Sequence, residues 1–139
     1  MKNIYEVFAE VEKSPSRKDR IEILRKNDSF ALRNILKGTY DPNIEFAITK
    51  VPFYKPSDAP AGLGYTSIHQ ELGRAYLFQK EHPKLPPSLT DRRREQILIQ
   101  ILEALEKREA EIFMNMLLKK QIVQGLNIEV VKEAFPDLI

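Results

Sequence analysis

The 139 residues hold 42% hydrophobic and 30% charged side chains with a formal net charge of +2. That is a globular balance in a chain of single-domain length, able to bury about two-thirds of the surface its unfolded form exposes. No apolar run nears the ~18 residues of a membrane span, the N-terminus lacks an apolar h-region, and cysteine is absent, which excludes a disulfide framework, a thiolate metal site and a cysteine nucleophile. The expectation is one cytoplasmic domain over residues 1–139.

Ile4, Val7, Phe8 and Val11 fall at i, i+3, i+4 and i+7, one apolar stripe that predicts a first helix over 3–12. In Ser14-Pro15-Ser16 either serine can cap a second helix, which ends near Lys26. Asp28 is positioned to cap a third, with Ala31, Leu32, Ile35 and Leu36 as its stripe and Gly38 as its C′ residue. From Thr39 to Tyr65 the helical period disappears. Pro42, Pro52, Pro56 and Pro60 exclude a continuous helix, and Ile44, Phe46 and Ile48 alternate in a short strand-like piece. Ser67 and Gln70 have the capping-box spacing of a fourth helix reaching Gln79. Pro83, Pro86 and Pro87 then form a stiff connector. Thr90 can cap a periodic stretch from Asp91 to Lys120, too long for one helix in so small a domain, so a break is expected at Glu106 to Arg108. Past Gly125, Asn127 caps a last helix that Phe135-Pro136 stops. The predicted fold is therefore all-α, a compact multi-helix domain of about six to seven helices with helical hairpins and one long proline-rich loop.

Catalytic patterns are missing. His69 and His82 stand thirteen positions apart, and no glycine-rich phosphate loop, H-E-x-x-H or G-x-S-x-G occurs. Glu103, Glu106, Glu109 and Glu111 interleave with Lys107 and Arg108 as on a solvated helix face. The reading is no enzyme, no cofactor and no metal. The basic residues are clustered instead. Between Lys13 and Lys37 eight bases face three acids, a local +5, and such asymmetry can make a positive face on a nearly neutral protein. Arg92, Arg93 and Arg94 lie in the first turn of a helix, where cations oppose the helix dipole and an external anion would relieve them. Lys119 and Lys120, followed by Gln124, Gly125, Leu126 and Asn127, combine two bases, a glycine permitting close backbone approach and a fresh helix start, which are the parts of a backbone phosphate site.

Arg20 to Asn27, then Leu32-Arg33-Asn34-Ile35-Leu36 running into Thr39-Tyr40, then Lys50-Val51-Pro52, resemble in order the N-terminal DNA-binding domain of T-even phage ATP-dependent DNA ligase. Met116-Leu117-Leu118-Lys119-Lys120, Gly125 and the closing Phe135-Pro136-Asp137-Leu138-Ile139 resemble that domain's final helices. The chain is also similar to short proteins of T-even-like phages and cyanophages. The resemblance implies an all-helical domain whose helical pairs lie along the minor groove and hold duplex phosphates, with Lys120 in the place of a basic residue and Gly125 at the DNA-facing turn. The ligase nucleotidyl-lysine motif K-x-D-G is absent: Lys26-Asn27-Asp28-Ser29 lacks the glycine. The first expectation is a free-standing, non-catalytic phage module that grips the duplex DNA backbone with little sequence specificity through Lys119, Lys120, Gln124, Gly125, Leu126, Asn127 and Arg92, Arg93 and Arg94. The alternative is an adaptor that keeps this fold and binds a phage replication or host protein through the Val51 to Gly64 loop, which solvent-facing Phe53 and Tyr54 would favour.

Overall fold

Five serine, threonine and asparagine caps start five of the helices, each side chain accepting from the backbone N–H three residues on: Ser16 from Asp19, Ser29 from Leu32, Ser67 from Gln70, Thr90 from Arg93 and Asn127 from Val130. In the computed structural model, which describes residues 2–60 and 63–139, the elements among the described residues are α1 (Ile4–Lys13), α2 (Arg17–Lys26), α3 (Phe30–Tyr40), α4 (Ile68–Glu71), a 3-10 helix (Leu72–Phe78), α5 (Asp91–Ala104), α6 (Lys107–Leu117) and α7 (Ile128–Ala134). The fold is all-α, as the periodicity predicts. No helix of the described residues is long and apolar enough to cross a membrane.

The predicted break between α5 and α6 is present. Leu105, fully buried, turns the chain in an extended conformation, and the Glu106 carboxylate accepts from the Arg108 and Glu109 amides to start α6. Three local expectations are corrected. Ser29, not Asp28, caps α3; Asp28 instead takes both arms of the Arg33 guanidinium at 2.6 and 2.9 Å. Gly38 does not end α3, which continues to Tyr40; it is buried in the helix where a Cβ would lie 2.8 Å from Met116 Sδ, so it sets how closely α3 and α6 approach. The fourth helix is one α turn that tightens into a 3-10 helix and ends at Phe78 rather than Gln79. The strand-like piece makes an isolated antiparallel bridge, Phe46 to Gln79, with the Ala47 amide donating to Phe78 O at 2.7 Å and the Lys80 amide to Glu45 O at 2.9 Å.

The core is one cluster. α3 packs on α6, α5 on α6, α1 on α2, and α2 on α7, and Phe78 meets Phe113 edge-on at 6.1 Å in the centre. Tyr40, 6% exposed at the end of α3, sits in this cluster, and burial pushes its phenol up to about 12. Its folded pKa lies above the unfolded value of 10.0, so the stabilisation it contributes is intact below pH 10 and is lost as pH rises through about 12. A phenolate absorbance titration is expected to show Tyr40 ionising last, with Tyr54 also delayed by burial and by Glu111. Simultaneous ionisation of all five tyrosines in the folded chain would contradict this packing.

Candidate nucleic-acid interface

Lys119 is not a surface cation. Helix α6 stops in a pattern in which the Lys119 amide donates to Met116 O and the Lys120 amide reaches back to Asn115 O, both at 2.9 Å, with Lys119 in the left-handed region at φ +56. Glycine usually takes that position. Here the lysine there turns its ammonium inward, where it donates to Gly38 O, Asp41 O and Ile44 O at 2.7 to 2.8 Å and lies 5.6 Å from the centroid of the Phe46 ring. It closes the C-terminus of α3 and the start of the irregular segment. Desolvation holds its pKa below the ordinary lysine value, against the pull of Asp41 and Glu45.

Arg94 is corrected in the same way. It is buried, its Nε donates to Leu77 O at 2.8 Å and its Nη1 pairs with Asp91 at 2.9 Å. The charge expected to await an external anion is met by an acid one turn back. Lys119 and Arg94 thus each supply a donor to a carbonyl next to the Phe46–Gln79 bridge, Ile44 O and Leu77 O, which partly or fully buried carbonyls need when water is not there to bond them. Arg92 and Arg93 remain exposed at the start of α5, where Arg93 reaches Gln96 at 3.5 Å.

The turn after Lys120 is built partly for itself. Leu126 is buried in the core and Asn127 caps α7. The Gln124 amide, expected to face phosphate, donates to the Glu12 carboxylate at 3.1 Å. Gly125 has φ +90, and the group that approaches its backbone is Arg20: a Cβ there would lie 2.6 Å from Arg20 Nε. The Arg20 Nη2 donates to Ser14 O. Lys120 and the side chains of Gln124 and Asn127 stay exposed.

The Arg20–Gly125 seat joins the turn to α2, a strongly basic helix that the sequence alone does not assign to a site. Several α2 and α3 cations serve the C-terminal segment. Arg17 pairs with Glu133 at 2.9 Å, Arg25 donates to Glu133 O and Ala134 O, Arg33 lies 4.6 Å from the centroid of the Phe135 ring, and Lys37 donates to Leu138 O. Carbonyl acceptors leave the charge of Arg20 and Arg25 in place. Lys13, Lys18, Lys26 and Lys120 are exposed, and their ammonium groups make no hydrogen bond or ion pair among the described residues. The local +5 between Lys13 and Lys37 is the signal the sequence offers; what it lacks is the long-range contact that puts α2 beside Gly125.

A family described as a family of unknown function (DUF6433) matches residues 7–124. The chain belongs to this family. The matched DUF6433 span runs from within α1 to Gln124, so it takes in α2 and Lys120 and stops one residue before Gly125. No curated protein matches the chain.

Proposed function

We propose that this chain is a non-catalytic module that holds the backbone of duplex DNA along α2 and the turn from Lys120 to Asn127. The observation that carries the reading is the seat of Arg20 on Gly125, which brings the basic helix against the turn. The ordered resemblance to a ligase DNA-binding domain supports it. The working residues are Lys13, Lys18, Lys26 and Lys120, with Arg92 and Arg93 as outlying contacts, while Lys119, Arg94 and Leu126 act within the fold. Flexible ammonium groups grip phosphate without reading bases, so specificity is low and salt dependence steep.

A gel-shift series on intact and nicked duplex at several salt concentrations tests this. Lys18→Glu combined with Lys120→Glu is expected to lower affinity by about tenfold or more and to flatten the salt slope by about two ion equivalents, roughly one for each phosphate no longer neutralised. Salt-insensitive binding, or no binding to either duplex, sinks the reading. A specific observation supports the adaptor alternative: Phe53 is 95% exposed, with Val51, Leu63 and Tyr65 also open to solvent, although Tyr54 packs against the core. Should the charge reversals leave DNA affinity untouched, the alternative interface is the exposed Val51, Phe53 and Leu63 of the Val51 to Gly64 loop, with Tyr65 beside it.

A further inference from the structure

A cavity of about 330 Å³, open to solvent, lies between the start of α1, the segment from Gly64 to Ser67 and the first turn of α6. Its walls are fixed. Gly64 lies against the α5–α6 corner so closely that a Cβ would stand 3.2 Å from the Glu106 amide nitrogen and 3.3 Å from Ala104 O, and the Thr66 amide donates to Ala104 O. Thr66 Oγ1 is tied to Gln70 and Glu71 at 3.0 and 2.8 Å. Tyr5 is held from its face by the Arg108 guanidinium, 3.9 Å from the ring centroid, and at its hydroxyl by Asn3.

Among the described residues the lining contains two carboxylates, one histidine, His69, and no lysine or arginine. Glu106 is 8% exposed and already committed: it caps α6 and pairs with Arg108 at 3.0 Å. Glu109 is different. Its carboxyl forms no side-chain hydrogen bond or ion pair among the described residues; burial raises its pKa, helped by the nearby Glu106 charge and opposed by the Ile68 amide and by His69. Tyr65, which also lines the cavity, is 92% exposed, so its ring is an aromatic surface left open by the described residues. An anion is disfavoured by the carboxylates and a purely apolar ligand by the polar walls. A metal ion would need more donors than one carboxylate outside an ion pair, and no three His, Asp or Glu side chains gather for one among the described residues. What remains is a positive group with N–H donors and an apolar body, which a carboxylate and an aromatic face recognise together.

We propose that this cavity binds an organic cation, a guanidinium or primary ammonium, with Glu109 as its counter-ion and the Tyr65 ring as its aromatic wall. The site is separate from the α2 surface and does not depend on DNA binding. Two sources share this chemistry: an arginine or lysine side chain of a protein partner, and a free polyamine.

Amide-resolved NMR titration of the full chain with arginine amide, and separately with spermidine, tests the proposal. Saturable shifts are expected at Tyr65 to Gln70 and Glu109. Glu109→Gln, nearly isosteric, is expected to weaken binding about tenfold or more, the loss of one charge-assisted contact. Tyr65→Ala, at a ring that water surrounds and the fold does not need, is expected to weaken it about threefold. Glu22→Gln on α2 should change nothing. Tighter binding of arginine amide identifies a side chain as the natural cation, and tighter binding of spermidine a polyamine. Shifts scattered over all surface carboxylates overturn the site, as does unaltered binding in both the Glu109 and the Tyr65 variants.

Discussion

Lys119→Met is expected to lower the unfolding free energy by about 2–4 kcal/mol, although the residue looks in sequence like a surface base. Its ammonium satisfies three carbonyls at 2.7 to 2.8 Å, and hydrogen bonds to a charged donor contribute about 1.5–3 kcal/mol each, less where water competes. Gly38 O is among the last carbonyls of α3, which have no partner within their own helix. Asp41 O and Ile44 O belong to the irregular stretch that follows. Methionine fills the same space and donates to none of them. Lys119→Gly separates the two parts of the effect. It removes the same three bonds but relieves the left-handed backbone at φ +56, which costs a side-chain-bearing residue about 1 kcal/mol. The glycine variant gains about that amount from its backbone but gives up the packing of the stem and adds entropy to the unfolded chain, so the two variants should lie within about 1 kcal/mol of each other in urea unfolding. Folded Lys119→Met should retain the parent's DNA affinity and salt slope. A stable Lys119→Met chain with reduced affinity would return Lys119 to the phosphate surface.

Sequence legibility follows the range of the interactions involved. Caps at Ser16, Ser67, Thr90 and Asn127, the break at Glu106 and the stop after Ala134 depend on residues within one turn, and all are readable from the residues alone. Gly38 misleads because glycine after an apolar stripe signals a helix end only if nothing packs there. Met116 of α6, far along the chain, is what requires a residue without a Cβ. Lys119 and Arg94 mislead for a related reason. A cation in sequence shows its charge but not whether a distant carbonyl has claimed it, and the carbonyls of Leu77, Gly38 and Ile44 are all remote in the chain. The contribution of α2 is visible as a run of bases but not as part of a site. Only the contact of Arg20 with Gly125 sets that run of bases beside the turn.

That contact gives the second large effect. Gly125→Ala is expected to destabilise the fold by about 2–3 kcal/mol and to weaken duplex binding beyond what the stability change explains. About 1–2 kcal/mol comes from placing a Cβ at φ +90. The rest comes from Arg20, whose Nε would meet that Cβ at 2.6 Å and whose Nη2 bond to Ser14 O, at 3.1 Å, would break as the side chain moved aside. Arg20 Nε is also buried with no acceptor among the described residues, so the side chain is held against the glycine by shape and by its outer nitrogen. Trimming it removes an unpartnered donor as well as a bond, and Arg20→Ala alone should therefore cost little. The double-mutant cycle isolates the seat. In the Arg20→Ala background, Gly125→Ala should cost only the backbone term, about 1 kcal/mol less than in the parent. An equal cost in both backgrounds would mean that Arg20 does not press on Gly125, and the DNA reading would then lose the contact that brings α2 against the turn.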